Sequence, residues 1–514
     1  MNAKSRTNKI IQNGKIAILY YVANMILGFY SRKVFIDYVG IEVLGLNQTA
    51  QNLLGFLNLA ELGIGSAIAF SLYKPIADND ENSINEIISV QGWLYRRIAI
   101  IIGLGAIALM AFFPLIFKDI HLPLWYAYTS FGAFLYSSLL TYFVNYKQIL
   151  LSATQLEYKI IYNYHFVILI KSAVQILCMI YLSYPYIWWL LLQIVFATIA
   201  SYNLNYHIQK TFPFLETAIS DGRRLAKKYS VIATKIKQLF FHAVGGFALT
   251  QASPLLIFAF VDLRMVAIYS NYMLIVNCLR MLFNSVFTGI TAGIGNLQTE
   301  RDNEKSLKVF KEIFSVKFLL ISTLLFTFYE FVNSFIGIWI GKDLMLSKST
   351  LLIIVLTLYI ILSRTTIDSY IYAKGMFQDI WAPITEAILN IGLSILLGYY
   401  FGINGILSGA LISLIVVIFL WKPYFLFKKG LNMPLSIYVK LNVIHFVAFG
   451  LTALVTLFVL KPIFSNVPTT YAAWFFKALM FAIVNILQLG LLLFLTSSGM
   501  RDFYKRVNFM IHSR

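Results

Sequence analysis

Residues 98–117 read IAIIIGLGAIALMAFFPLIF, a stretch of twenty residues without a charged side chain. An α-helix rises about 1.5 Å per residue, so this stretch is long enough to cross a hydrocarbon core about 30 Å thick. Lipid offers the backbone no hydrogen-bond partner, and only helices and closed barrels satisfy their own backbone groups there. The stretch is too long for a barrel strand, so it predicts a transmembrane helix.

The rest of the chain has the same character. Its 514 residues are 59% hydrophobic and only 12% charged, and its mean hydropathy is +0.76, which is far from the composition of a soluble domain. We therefore predict an all-α integral membrane protein with about fourteen transmembrane helices. The predicted spans are residues 14–37, 43–71, 93–117, 124–151, 158–182, 185–208, 238–261, 266–295, 313–339, 350–373, 378–401, 403–427, 438–461 and 471–497.

Basic residues are distributed unevenly between the two ends of these spans. With a cytoplasmic N-terminus, thirty of the 41 Lys and Arg residues fall in or beside the inner segments, and five fall in the outer loops. The positive-inside rule therefore places both termini in the cytoplasm. Orientation and contact with the phospholipid bilayer account for the net charge of +19, so no nucleic-acid partner is expected.

The longest hydrophilic segment, residues 209–237, lies near the middle of the chain and contains a basic cluster. We predict that this segment is a cytoplasmic linker between two six-helix lobes, residues 1–208 and 238–430. Residues 431–514 would then form two additional transmembrane helices and a cytoplasmic tail. Because each lobe has an even number of spans, both lobes would have the same orientation in the membrane.

Polar and charged residues interrupt several spans at helical spacing. An ionisable side chain costs about 2.5 to 3.5 kcal/mol at the bilayer centre, so those that share a helix face are candidate functional residues. Three spans carry such stripes: Asn24, Arg32 and the adjacent Lys33 on the first, Gln51, Asn58 and Glu61 on the second, and Asn277, Arg280 and Asn284 on the eighth. Since the second and eighth spans correspond between the lobes, we expect the stripes to line one central cavity.

Two further spans contain embedded cations. Lys171 lies in mid-span, and Arg364 lies four residues before Asp368, a spacing at which the two side chains can instead pair with each other. Arg32 and Lys33 lie near a span end, where the alternative is that they reach toward the headgroups. The embedded charges are basic on balance, so the cavity is expected to bind an anion such as a diphosphate. The candidate substrate-binding residues are Arg32, Lys33, Lys171, Arg280 and Arg364.

Three positions are candidates for the transport cycle. Glu61 and Asp368 are embedded acids that could hold a coupling proton or sodium ion, and no other cofactor is expected. The glycines near Glu61 allow close helix packing or a local bend, and the alternative is that bending there belongs to the alternating-access motion. Pro254 removes a hydrogen bond from the middle of the seventh span, so it is a predicted hinge.

Motifs of several enzyme classes are absent from the sequence. It has no G-x-x-x-x-G-K-[ST], H-E-x-x-H or G-x-S-x-G segment, and its six histidines lack metal-ligand spacing. A membrane-embedded polymerase or acyltransferase would need a large outer loop or an embedded catalytic pair, and neither is evident. We therefore expect a protein without catalytic residues or a bound metal.

One segment resembles a known family. Residues 38–77 read YVGIEVLGLNQTAQNLLGFLNLAELGIGSAIAFSLYKPIA. The segment is similar to the signature of Wzx-type bacterial polysaccharide flippases, in the multidrug/oligosaccharidyl-lipid/polysaccharide exporter superfamily. The matching positions are Tyr38, Gly40, Gly45, Glu61, Leu62, Gly63 and Gly65.

The resemblance implies a V-shaped pair of six-helix bundles with a central cavity, in a protein of the bacterial cytoplasmic membrane. The implied substrate is an undecaprenyl-diphosphate-linked oligosaccharide of an O-antigen, capsule or exopolysaccharide, moved to the outer leaflet. Expected partners are the polysaccharide polymerase and glycosyltransferases of the same pathway, and the expected state is a monomer. A cation-coupled multidrug exporter and a peptidoglycan-precursor flippase are the alternatives.

Overall fold

The computed structural model describes residues 3–61, 63–118, 120–287, 294, 297, 302–376, 378–379, 381–459 and 468–512, without the side chains of 3–12, 60, 238, 241–250 and 511. All regular secondary structure within these residues is helical. The helices, labelled α1 to α18 in chain order, are Ala3–Tyr38, Ile41–Leu57, Ile64–Asp78, Glu81–Ala111, Phe113–Ile116, Trp125–Phe143, Gln148–Ala153, Glu157–Tyr181, Pro185–Thr211, Gly222–Lys228, Ser230–Phe260, Leu263–Phe287, Asn303–Trp339, Lys348–Ala373, Trp381–Leu431, Ser436–Val459, Tyr471–Thr496 and Ser498–His512.

Eight of these helices are long and apolar enough to cross a membrane, namely α4, α8, α9, α12, α14, α15, α16 and α17. Large apolar side chains such as Leu487 and Phe476 are exposed on their surfaces, as lipid-facing positions require. The prediction of an all-α integral membrane protein is therefore confirmed. The number of fourteen spans stays a prediction.

Helix α15 contains two of the predicted spans, which meet at Gly402. This residue has φ +55° and ψ −136°, and it interrupts the helix. A Cβ at Gly405 would lie 1.9 Å from the Leu397 carbonyl oxygen, and one at Gly409 would lie 2.3 Å from the Ser394 backbone nitrogen. The glycine with the higher residue number thus contacts the partner with the lower residue number, as in two antiparallel helices. Residues 381–401 and 403–431 therefore form an antiparallel helical hairpin, which agrees with the predicted boundary.

The second predicted span, residues 43–71, is not one continuous helix. Helix α2 ends at Leu57, a 3₁₀ turn covers Asn58–Glu61, and α3 begins at Ile64. Gly63 has φ +86°, a left-handed conformation that other residues adopt only with strain. Hydropathy averaged over a whole window predicts the span but does not locate a short polar turn within it. The local bend that these glycines allow is observed at Gly63.

The segment predicted to be a linker packs against the N-terminal end of α4. Asn85 Nδ2 donates a hydrogen bond to the Phe214 carbonyl oxygen at 2.9 Å. The Glu86 carboxylate accepts hydrogen bonds from Lys228 Nζ at 2.5 Å and from the Tyr229 hydroxyl at 2.6 Å. The bond to Glu86 raises the pKa of Lys228. This part of the segment is therefore held to the N-terminal end of α4.

The chain packs as two compact units, Met1–Ser270 and Asn271–Arg514. The change from one unit to the other falls within α12. The lobes predicted with bounds at residues 208, 238 and 430, and the V-shaped arrangement implied by the family resemblance, stay predictions. Pro254 lies inside α11, and its role as a hinge also stays a prediction.

Replacing Gly63 with Ala should destabilise the protein. The new Cβ would require a strained φ, at about 1 to 2 kcal/mol, and would lie 3.0 Å from Leu239 Cβ and 3.0 Å from the Phe240 backbone nitrogen. We expect a lower midpoint of thermal unfolding in detergent. Gly65→Ala is the matched control, since its Cβ would meet only the Tyr95 hydroxyl at 3.8 Å. Equal midpoints for the two variants would contradict the left-handed conformation assigned to Gly63.

Candidate functional site

A polar cavity of about 220 Å³ lies within the first unit, between α1, α2, α8 and α9. Part of its polar lining comes from the two stripes predicted on the first two spans. The lining residues are Asn24, Gly28, Ser31, Arg32, Phe35, Leu44, Asn47, Gln48, Gln51, Ser172 and Trp189. The structure thus brings together three of the predicted residues, Asn24, Arg32 and Gln51.

Arg32 is the cation of this cavity. Its Nη1 donates a hydrogen bond to Ser270 Oγ at 3.2 Å. Among the residues that the structure describes, no carboxylate lies within 4.0 Å of the guanidinium. A guanidinium carries five N–H donors in a planar fork that fits carboxylate and phosphate groups. Arg32 therefore has donors available for an anion in the cavity.

Asn47 adds a buried amide to the cavity wall. Its side chain is only 3% exposed, and its Oδ1 accepts a hydrogen bond from Ser130 Oγ at 2.5 Å. Ser130 Oγ in turn contacts the Tyr186 hydroxyl. The Asn47 Nδ2 has no hydrogen-bond partner among the described residues. Since an unsatisfied buried donor is costly, this amide is a candidate ligand contact.

Lys33, the neighbour of Arg32, has a different environment. Its Nζ lies 3.8 Å from Asp37 Oδ2, and the two side chains are 42% and 48% exposed. Lys33 is not among the residues that line the cavity. The structure therefore separates two adjacent cations that the sequence placed in one group.

Lys171 lies beside the cavity residue Ser172 on α8. Its Nζ donates a hydrogen bond to Gln193 Oε1 at 2.6 Å, and Gln193 Nε2 lies 3.4 Å from Ser137 Oγ. No described carboxylate lies within 4.0 Å of this ammonium. Lys171 is thus a second embedded cation of the first unit that contacts only neutral oxygens.

Glu61 lies in the turn between α2 and α3 and is held by two tyrosines. The Tyr95 hydroxyl donates to Glu61 Oε1 at 2.8 Å, and the Tyr142 hydroxyl donates to Glu61 Oε2 at 2.7 Å. Asn58 Oδ1 is 3.2 Å from the same Tyr142 hydroxyl and 3.4 Å from Ser138 Oγ. Glu61 and Asn58 therefore fix the broken second span against α4 and α6, and neither lines the cavity of Arg32.

The embedded charges of the second unit form an ion-pair network. Arg364 Nε lies 2.9 Å from Asp368 Oδ2, and Arg364 Nη1 lies 4.0 Å from Glu386 Oε1. Lys422 Nζ lies 3.7 Å from Asp368 Oδ1 and 3.8 Å from Asp379 Oδ2. The spacing of Arg364 and Asp368 allowed either substrate binding or mutual pairing. The structure shows the two side chains paired.

Lys317 belongs to the surroundings of this network. It is 3% exposed, its Nζ donates to Thr365 Oγ1 at 2.9 Å, and it lies 4.9 Å from the centre of the Phe287 ring. Arg280 is close enough to Arg364 for their positive charges to interact. The other two predicted residues of α12, Asn277 and Asn284, are exposed.

Sequence reasoning missed the roles of Lys317, Lys422, Asp379 and Glu386. Lys317 and Lys422 lie inside the predicted spans 313–339 and 403–427, and this position within a span was the available signal of burial. The partners of Lys422 could not be predicted, because their approach depends on the hairpin at Gly402.

Solved structures of known transporters share this fold. The chain is similar to the lipid II flippase MurJ in an inward closed conformation, with 15% identity over 93% of this chain and 99% of that chain and a TM-score of 0.62. It is also similar to an inward-facing multidrug resistance MATE family transporter of the MOP superfamily, with 13% identity over 80% of this chain and 95% of that chain and a TM-score of 0.57. No protein-family model and no curated protein matches the sequence. The chain thus has the all-α membrane fold of these transporters.

Proposed function

We propose that the protein is a flippase for an undecaprenyl-diphosphate-linked oligosaccharide, which it moves from the cytoplasmic to the outer leaflet by alternating access. The observation that carries this proposal is Arg32, a cation in a polar cavity without a described carboxylate within 4.0 Å. Such a site attracts an anion and repels a cation, because a charge in a low-dielectric site has little screening. The fold shared with a lipid II flippase supports a lipid-linked substrate.

The same fold also fits two other transport functions. A multidrug exporter is supported by the shared fold of a MATE transporter, but cationic drugs would be disfavoured by Arg32 and Lys171. A peptidoglycan-precursor flippase would carry the same diphosphate, and it would differ in the sugar that the cavity accepts. Arg32 and the charge of the substrate therefore favour a flippase of either kind over a drug exporter.

The proposal assigns different roles to the embedded cations. Arg32 and Lys171 bind the diphosphate or the glycan, whereas Arg364 stabilises the second unit through Asp368 and Glu386. The substrate contact of Arg280 stays a prediction. The amides of Asn24, Asn47 and Gln51 lie beside Arg32 and would bind sugar hydroxyls. The protein would act in the cytoplasmic membrane with both termini inside, beside the glycosyltransferases and polymerase of one pathway.

Neutralising Arg32 should abolish most transport. We expect Arg32→Gln to lower flipping of a fluorescent polyprenyl-diphosphate oligosaccharide in proteoliposomes by about tenfold or more, as expected when a charge-assisted hydrogen bond is lost. Lys33→Gln is the matched control, because it removes the same charge one residue away, outside the cavity. Equal activity of the two variants would refute the binding role of Arg32.

Removing Arg364 should affect stability first. Arg364→Ala leaves Glu386 without a described cation within 4.0 Å and leaves Asp368 with Lys422 at 3.7 Å, which is expected to cost about 3 to 5 kcal/mol and to lower the midpoint of thermal unfolding. The double variant Arg364→Met, Asp368→Leu removes both charges of the closest pair and should recover part of this loss. A stable single variant that fails to flip substrate would instead place Arg364 in the substrate site.

Glu61 is the proposed site of a coupling proton or sodium ion. We expect Glu61→Gln to flip substrate at a rate that no longer responds to an imposed proton or sodium gradient, because the amide cannot change its charge. Tyr142→Phe is the control, since it removes one hydrogen bond to Glu61 and keeps the carboxylate. An unchanged gradient response in Glu61→Gln proteoliposomes would exclude this role.

A further inference from the structure

Helix α18 lies in the segment that the sequence predicts to be a cytoplasmic tail. One side of this helix is attached to α13. Arg506 Nε and Nη2 lie 3.0 and 3.2 Å from the two carboxylate oxygens of Glu312, and Lys308 Nζ lies 3.9 Å from Asp502 Oδ1. Gly499 approaches α13 so closely that a Cβ there would lie 2.3 Å from the Lys311 carbonyl oxygen. The helix is therefore fixed in orientation, and one face remains outward.

The outward face of α18 combines basic and large apolar side chains. Tyr504 is 59% exposed and Phe509 is 74% exposed. Arg501 and Lys505 are exposed on the same face, and no described carboxylate lies within 4.0 Å of either cation. A helix face with aromatic and basic residues side by side is typical of segments that lie in the headgroup region of a membrane.

This face continues the lipid-facing surface of α17, the membrane-spanning helix before it. Leu491 and Leu495 of α17 are both 61% exposed. The Tyr504 ring packs against the Phe494 ring with 5.5 Å between centroids. Arg501 Nη1 donates to the Leu495 carbonyl oxygen at 2.9 Å, and so it lies where the span ends. The outward face of α18 therefore begins at headgroup depth.

We infer that the outward face of α18, defined by Arg501, Tyr504, Lys505, Asn508, Phe509 and His512, binds the anionic headgroups of the adjacent leaflet. Lys505 and Arg501 provide the charge for lipid phosphates, and Tyr504 and Phe509 enter the zone between headgroups and acyl chains. Because Arg506 and Asp502 tie an adjoining side to α13, lipid bound here holds the inner end of the second unit at the membrane surface. The inference is independent of which substrate the protein transports.

Hydrogen exchange of the full-length protein in nanodiscs tests this inference. One disc contains phosphatidylcholine alone, and the other contains about one third phosphatidylglycerol, enough for a negative surface potential. We expect the backbone amides of residues 503–512 to exchange several-fold more slowly in the anionic disc, and the difference to shrink in high salt. The variant Lys505→Glu, Phe509→Ser should exchange at the same rate in both discs.

Arg506→Gln is the matched control, because it weakens the attachment to Glu312 and should speed exchange equally in both discs. Equal exchange of the unaltered protein in the two discs would overturn the inference. Protection that depends on two protein copies per disc, and is independent of lipid charge, would also overturn it, since a second copy would then cover the face.

Discussion

Hydrocarbon provides no hydrogen-bond partner, and this constraint decides where the chain can depart from a helix. The second span breaks between Leu57 and Ile64, where Glu61 in the turn accepts hydrogen bonds from Tyr95 and Tyr142. The hairpin at Gly402 follows the same rule, since Ser394 Oγ donates to the Ile406 carbonyl oxygen at 2.8 Å. In both places other parts of the same unit supply polar partners, so irregular backbone occurs where protein replaces lipid.

The same constraint acts on charged side chains in both units. In the second unit, Arg364 and Lys422 are paired with carboxylates at 2.9 and 3.7 Å, so the network approaches neutrality. In the first unit, Arg32 and Lys171 donate to neutral oxygens, and no described carboxylate lies within 4.0 Å of either cation. A charge left uncompensated lowers stability unless a ligand brings the opposite charge. Lys317 of the second unit also donates to a neutral oxygen, so it is the polar cavity around Arg32 that makes the first unit the candidate binding site.

The predictable part of the fold and the site is the part that depends on local sequence spacing. Arg32 shares a helix face with Asn24, and Arg364 lies one turn from Asp368, so regular helices preserved both relations. The contact of Lys422 with Asp379 joins residues 43 positions apart, and it depends on the reversal at Gly402. The exact position of the break at Gly63 could not be located from the sequence, because the flanking residues are apolar enough to continue a span. Long-range convergence and short interruptions therefore required the structure.

Charge alone would not make the cavity selective for the proposed substrate, because the surrounding phospholipids also carry phosphates. The amides beside Arg32 bear on this point. Asn24, Asn47 and Gln51 line the same cavity. A phospholipid acyl chain would leave these amides without hydrogen bonds, whereas the hydroxyls of a glycan would satisfy them. A polar site discriminates between ligands because a buried polar group left unsatisfied is costly. On this proposal, Arg32 supplies attraction to the anion, and the amides supply the preference for a sugar.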